Sequence, residues 1–309
     1  MRVLVLGGSG FVGRSFCARW CRAQGGSGTI TLPTRQLRNV RSLRTQPGLS
    51  VVRADIHNPD TLRALVAKHD AVLNLVAILH GKPAEFERTH VQLVSHIISA
   101  CQREGVRRLV HVSALGVDEV ADMPSDYLRS KARAEALIRA SGLDYTVLRP
   151  SVIFGKDDRF MNLFAALQRR LPLMALGGAQ ARMQPVWVED VAKALVHTLL
   201  RPETIGHTYE LGGPRQWQLR ELVQAAGRWS RGHARPVLPL PAPLAWLQAA
   251  ALEWWPGGPL LSRDNLRSLQ RPNVLGNSLP GLADLGVAAA DLQTIAPSYL
   301  AEDPKPAAR

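Results

Sequence analysis

Residues 1–14, Met-Arg-Val-Leu-Val-Leu-Gly-Gly-Ser-Gly-Phe-Val-Gly-Arg, constrain the fold more than any other stretch of the chain. Val3 to Leu6 is a short, partly β-branched apolar run suited to a buried parallel strand. It breaks into glycines three apart, Gly7, Gly10 and Gly13, and then into a helical pattern through Phe16 and Trp20. A glycine motif placed between a strand and a helix predicts a dinucleotide-binding turn. The turn must be tight, backbone N–H groups must approach a pyrophosphate, and the helix must pack close to its strand. The positive end of the helix then faces the phosphates. The expected contacts are Gly7, Ser9, Gly10, Phe11, Val12 and Gly13. A bare strand–loop–helix turn of some other α/β protein is the alternative.

The N-terminal half continues the alternation. Strands are predicted at Val3–Leu6, Thr29–Leu32, Leu49–Arg53, Ala71–Val76, Arg108–Ser113 and Tyr145–Leu148, with helices at Pro59–Lys68, Phe86–Glu104 and Leu128–Ser141. Turn signals at Gly25-Gly26-Ser27-Gly28, Pro47-Gly48, Gly105 and Ser141-Gly142 separate them. This order predicts an α/β fold, a Rossmann-type doubly wound parallel sheet. After Arg149-Pro150 the periodicity changes. Phe160–Arg170 reads as an amphipathic helix and Leu171–Gln184 as a loop. Val186–Leu200 reads as a strand and then a helix begun near Glu189-Asp190, and His207–Leu211 as a further strand. The expected division is a nucleotide-binding domain over 1–155, joined by 186–212. A smaller C-terminal α/β substrate-side region covers 156–185 and 213–303, and the tail 304–309 is expected to be disordered.

A chain of 309 residues can bury a sizeable core. Arg2 precedes only a short apolar run, unlike a signal peptide, and no segment reaches the roughly 18 apolar residues of a membrane span. Cys17, Cys21 and Cys101 are too few for a disulfide framework, which points to a reducing, cytoplasmic setting. The net charge of +13 suits nucleic acid, an anionic membrane or an acidic partner. The arginines are scattered, and no basic run is interleaved with aromatics, which argues against nucleic acid. An anionic membrane or a multisubunit complex is favoured, beside the plainer reading of a generally arginine-rich surface.

The second strand gives Thr31-Leu32-Pro33-Thr34-Arg35, with Arg38 behind it and no acid where a ribose 2′-hydroxyl would be bound. Arginine there suits a 2′-phosphate, and Arg14 adds a second cation, so NADP(H) is expected over NAD(H). Asp55-Ile56 is placed for the adenine, and Asn74, Val76 and Ala77 for the ribose side. Tyr127 and Lys131 are four apart, hence on one helical face. Lys131 beside the phenol is expected to lower its pKa, and such a tyrosine exchanges a proton while a nicotinamide exchanges hydride.

With Gly7, Gly10, Gly13, Asp55, Asn74, Tyr127 and Lys131 in this arrangement, the chain resembles the extended or atypical short-chain dehydrogenase/reductases. More closely it resembles the NAD(P)H-binding accessory subunits of respiratory complex I and their bacterial relatives. That resemblance rests on Tyr127-Leu-Arg-Ser-Lys131-Ala with Glu135, on Arg149 to Phe160, on Gln184 to Val191 and on Leu261 to Asn265. It implies a tightly held NADP(H), with Pro150 and Val152 among the cofactor residues, and an association with quinone-linked respiratory membranes. It also implies a turnover that is disputed or absent. Active relatives carry a serine or threonine after the fifth strand. Here Ser113 fits the first such position and Leu115 stands at the second.

Three readings follow. One is an NADP(H)-dependent carbonyl reductase or epimerase on an unknown small-molecule substrate, with Tyr127 as acid/base, Lys131 as its tuner and ribose anchor, and Ser113 as oxygen donor. The second is a non-catalytic nucleotide-binding accessory or assembly factor of complex I or ubiquinone synthesis, peripheral on the inner membrane. A sugar-nucleotide epimerase is the third, disfavoured because the C-terminal region shows no evident uridine-diphosphate site. His80, His90, His96 and His111 lack metal-ligand spacing and are expected on the surface or satisfied in the core, and no metal is expected. Asp157-Asp158-Arg159 is expected to form a salt-bridged turn. Leu244–Trp255, with Trp246, Trp254 and Trp255, is expected as a helical lid or a membrane-interface segment.

Overall fold

The computed structural model describes residues 1–25, 28–37, 40, 43, 45–117, 123–254 and 261–301. Gly26-Ser27, Arg38, Trp255 and the tail 304–309, each named above, lie outside the described residues. The chain forms two compact units. The first comprises Met1–Pro150, Val188–Leu211 and Gly276–Ala288; the second comprises Ser151–Trp187, Gly212–Leu275 and Ala289–Arg309.

In chain order the first unit begins with β1 (Arg2–Leu6), α1 (Phe11–Ala23), β2 (Thr29–Thr34), β3 (Leu49–Arg53), α2 (Pro59–Val66) and β4 (Ala71–Asn74). There follow α3 (Pro83–Phe86), a π-helical stretch Glu87–Gln92, α4 (Leu93–Glu104), β5 (Arg108–Val112), α5 (Asp126–Arg139) and β6 (Asp144–Pro150). The second unit opens with β7 (Ile153–Phe154), α6 (Met161–Arg170), β8 (Met174–Leu176), β9 (Arg182–Met183) and β10 (Val186–Trp187). The chain then returns to the first unit for α7 (Val188–Leu200) and β11 (His207–Leu211). The second unit is completed by β12 (Trp217–Gln218), α8 (Leu219–Arg231), β13 (Val237–Pro239), α9 (Ala242–Leu252), α10 (Arg263–Ser268), α11 (Leu292–Ile295) and α12 (Pro297–Leu300).

Seven strands of the first unit form one sheet in the order β11-β6-β5-β4-β1-β2-β3, every neighbouring pair parallel. This is the predicted doubly wound α/β sheet. Its strand order reverses at β1, which lies between β2 and β4, and that switch point is where such sheets bind ligands. Val3 to Leu6 are fully buried, as a strand covered by helices on both faces requires. The register aligns Leu6 with Asn74 and Asn74 with His111, so the C-terminal ends of β1, β4 and β5 fall in one row. Leu62, Leu93 and Ile97 cover one face of this sheet.

The second unit has its own core, where Met161 and Ala165 of α6 join Leu222, Val223 and Ala226 of α8. One expectation fails here. The loop predicted over Leu171–Gln184 contains β8 and β9, because their ladders come from β13 and β12, which lie far along the chain. The region after Pro214 also holds a 13-residue helix, α8, whose start is fixed by the Glu221 carboxylate accepting the Gln218 N–H at 2.7 Å. Its apolar spacing was in the sequence, hidden among prolines and tryptophans.

Candidate functional site

The site is built from backbone first. Gly7 takes φ +80°, a conformation that L side chains rarely adopt, and a Cβ there would meet Leu75 and Val76 beyond β4 at 3.0–3.1 Å. A Cβ on Gly13 would lie 2.4 Å from the Gly8 Cα, so the helix rests directly on the turn. Gly8 is a participant the sequence reading did not single out, although the Gly7-Gly8 pair was visible. Gly10 caps α1 without a side-chain hydrogen bond, and the first turn of that helix carries no acid. Ser9, Phe11 and Val12 are partly exposed around this N-terminus. The cradle fits a pyrophosphate on both counts: small atoms where it must approach, and backbone N–H groups at a positive helix end.

Around the turn, Arg14 Nη1 donates to the Ser9 carbonyl at 3.2 Å and folds back over the loop. Arg35 is exposed just past β2. Asp55 is also exposed and accepts the His57 N–H at 3.1 Å, while Ile56 packs on the core. Burial, then Arg88 and more weakly Arg35, hold His57 below its ordinary pKa. Arg88, Asp55 and Arg35 therefore lie around one neutral imidazole, two cations against one carboxylate. At the end of β4, Asn74 is buried, and its Oδ1 accepts the Val76 N–H at 3.1 Å. Val76 is half-buried and Ala77 exposed.

Asn74 Nδ2 donates to His111 Nδ1 at 3.1 Å, which puts the His111 proton on Nε2. Burial and the nearby Lys131 keep this imidazole neutral, far below its ordinary pKa. Among the described residues His111 Nε2 and Ser113 Oγ are buried without a hydrogen-bond partner, two residues apart at the end of β5. Orphaned polar atoms of this kind suit a ligand-facing position.

Helix α5 begins at Ser125, whose Oγ accepts the Leu128 N–H at 3.2 Å. It presents Tyr127 and Lys131 one turn apart. Tyr127 is edge-on to Phe86 and His90, with ring centroids 6.1 and 5.6 Å away. His90 comes from the π-helical stretch, a geometry found mostly as short bulges at functional sites. His90 Nε2 accepts the Ile78 N–H at 3.1 Å, its Nδ1–H donates to Ser130 Oγ at 2.7 Å, and Ser130 Oγ donates to the Tyr127 carbonyl at 2.7 Å. Burial and then Lys131 push the His90 pKa down to about 3, so this chain is held with a neutral imidazole. His90 is thus a satisfied core histidine as expected, whereas the buried His111 keeps its Nε2 unpaired among the described residues, and both lie beside Lys131.

The expected charge tuning of Tyr127 is reversed. Burial pushes its phenol up to about 12, and Lys131 does not offset this. Lys131 is 1% exposed, and its Nζ donates to the Val112 carbonyl at 3.0 Å. Burial brings its own pKa down to about 8, only partly countered by Glu135. Desolvation penalises each charged form, and it is the largest influence on both groups.

Glu135, fully buried one turn further on, accepts from Arg149 Nε and Nη2 at 2.9 and 2.6 Å and from Arg139 Nη2 at 2.7 Å. This ion cluster ties α5 to β6, beside which the buried Pro150 ends the strand. Val152 falls in the second unit, where it packs on that unit's core. There Gln184 donates to the Gly213 carbonyl and accepts the Leu275 N–H, while Ser151 Oγ donates to Asn273 Oδ1 at 2.5 Å. At the turn Asp157-Asp158-Arg159, the buried Asp158 accepts the Gly155, Phe160 and Asn162 N–H groups and the Tyr299 hydroxyl.

A family model described as NAD(P)H-binding matches residues 7–202. The chain is 31% identical over 299 residues to mouse mitochondrial NADH dehydrogenase (ubiquinone) 1 alpha subcomplex subunit 9, covering 94% of this chain and 77% of that protein. It is 26% identical over 235 residues to a photosystem II assembly factor of Synechocystis, covering 76% and 69%. Among solved structures, a nucleoside-diphosphate-sugar epimerase from Staphylococcus aureus superposes with a TM-score of 0.73 at 18% identity, over 95% of this chain and 98% of that one. With a glycine cradle at the switch point of a parallel sheet and a matching model over most of its length, this chain belongs to the NAD(P)H-binding family.

Proposed function

We propose that this protein holds NADP(H) as a bound nucleotide and serves as an accessory or assembly protein of a quinone-linked respiratory complex, without turning over a substrate. The observation that carries this reading is the state of Tyr127 and Lys131. The amine is held by the Val112 carbonyl and the phenol is raised to about 12, so Tyr127 is not tuned as a proton donor near neutral pH. Leu115 adds no hydroxyl where active relatives keep one. The names of the mouse and Synechocystis relatives, a subunit of one complex and an assembly factor of another, support the same role.

In this reading the N–H groups of Phe11, Val12 and Gly13 take the pyrophosphate. Asp55 and Ile56 flank the adenine, and Asn74, Val76, Ala77, Lys131 and Pro150 line the remaining length. Arg35, with Arg88 and Arg14 in support, faces a 2′-phosphate, since no acid stands past β2. A nicotinamide supplies hydride exchange when bound. The unpartnered Ser113 Oγ favours the second reading, a carbonyl reductase or epimerase with Tyr127 as acid/base. Among the described residues no helix is long and apolar enough to cross a membrane, so the membrane association proposed here is peripheral, on the cytoplasmic side.

Native mass spectrometry of freshly purified protein, followed by incubation with carbonyl substrates, tests the proposal. Retained NADP(H) that stays unoxidised is the expected result. Recovery of NAD+ overturns the 2′-phosphate assignment, and substrate-dependent turnover lost in Tyr127→Phe overturns the non-catalytic role.

A further inference from the structure

We propose that α9, with the flank of α10 beside it, is a docking surface for an anionic phospholipid bilayer. The proposal deepens the membrane-associated reading above and rests on it. The helix Ala-Pro-Leu-Ala-Trp-Leu-Gln-Ala-Ala-Ala-Leu contains no charged residue. A helix apolar on all sides is normally covered on all sides. Among the described residues of its own unit one side is covered: Ala245 and Ala249 are buried, and a Cβ on Gly177 would come within 2.8 Å of the Ala245 Cβ. Leu244 and Leu247 are 53% and 67% exposed, Trp246 is 41% exposed, and Trp254 just past the helix is 88% exposed. Gln248 Nε2 donates to the Ala175 carbonyl at 2.9 Å, and Leu238, the register partner of Ala175, is also exposed. The apolar surface thus runs from the helix onto the β8–β13 pair. Single exposed leucines are ordinary, but a continuous group with two tryptophans marks an interaction site.

Charge decides which occupant fits. The guanidinium carbons of Arg263 and Arg267 lie 5.6 and 5.2 Å from the centre of the Trp246 ring. Glu253, next to Trp254, is neutralised by Arg263 through contacts of 2.9–3.2 Å. Residues 235–273 carry Arg235, Arg263, Arg267 and Arg271 against Glu253 and Asp264 alone. Trp246 also lines a cavity of about 270 Å³ with Leu240, Leu266, Leu269 and Arg267. Indoles at headgroup depth, leucines below them and arginines reaching phosphates are the chemistry of an anionic membrane surface.

Co-sedimentation of the full chain with phosphatidylglycerol–phosphatidylcholine vesicles, against phosphatidylcholine alone, tests this. The expected result is salt-sensitive binding to the anionic vesicles with a blue shift of tryptophan emission. Leu247→Glu should weaken that binding at least about tenfold, and Arg267→Gln roughly fivefold. Trp254→Ser, at the most exposed position, guards against a folding defect and should also weaken binding. No vesicle binding by the wild type, equal binding by Leu247→Glu and Trp254→Ser, or self-association through this face in place of vesicle binding would each overturn the proposal. Nucleotide content separates the two readings. Failed vesicle binding with NADP(H) retained leaves the accessory role standing, whereas vesicle binding without retained nucleotide removes that role and not this surface.

Discussion

The glycine turn and the helix carrying Tyr127 and Lys131 belong to the same nucleotide-binding unit, yet they reach their geometry by different means. The turn is decided within a few residues: Gly7 supplies a positive φ, and Gly13 lets α1 rest on Gly8. The neighbourhood of α5 is assembled from β4, the π-helical stretch, β5 and β6. Ile78, His90 and Ser130 hold the first turn, Val112 holds the Lys131 amine, and Arg149 holds Glu135. A motif whose chemistry is backbone shape brings its environment with it. A motif whose chemistry is a proton does not, because burial by distant segments sets the pKa.

Breaking the α5 side at its ion cluster should have the largest effect. Glu135→Gln leaves Arg149 and Arg139 facing a neutral amide in a buried place, and about 4 kcal/mol of stability should be lost. Urea unfolding measures it, and a loss below about 1 kcal/mol would mean that the cluster does not fix the helix. On the turn side, Gly13→Val drives side-chain carbons into the Gly8 backbone. We expect about 3 kcal/mol of destabilisation and loss of retained nucleotide; a variant that still co-purifies with nucleotide would contradict the close packing.

The third prediction concerns pH. Lys131 titrates near 8 in the folded protein against an ordinary 10.5, so between these values the unfolded chain binds more protons. The Lys131 contribution to stability therefore rises with pH through that window, by roughly 2 kcal/mol up to pH 10, while from about pH 9 the buried Cys17 and Cys101 thiols, raised to about 12, oppose it. Above pH 10 the raised Tyr127 phenol opposes the rise, because the unfolded tyrosine ionises first. The difference in stability between the wild type and Lys131→Met should therefore grow with pH from about 8 to 10, and a difference that stays constant across that range would show that the amine is not desolvated. The smallest effect is expected from Tyr127→Phe. Its half-buried ring keeps its packing on Phe86 and His90, so stability should change by less than about 1 kcal/mol and nucleotide retention should be unchanged.

Much of this unit was legible in the sequence. The strand, glycine turn and helix could be read from residues 1–20, and the alternation after them predicted the parallel sheet. Tyr127 and Lys131 were legible as a pair on one face. The direction of their influence was not, because nothing near them in sequence reports that Val112 takes the amine. His90 and His111 looked like ordinary core histidines, since spacing along the chain says nothing of Asn74 or Ser130. In the second unit, β8 and β9 went unseen because a two- or three-residue strand exists only through its partner.

By itself the sequence determined the elements that depend on local sterics and periodicity: the buried strand, the phosphate-binding turn and the helices that follow. Only the tertiary structure decided how far Tyr127 and Lys131 are desolvated, which polar atoms of β5 stay unpaired, and which side of α9 remains open. Backbone conformation is fixed by neighbouring residues, whereas burial and proton affinity are sums over every segment that folds against a group.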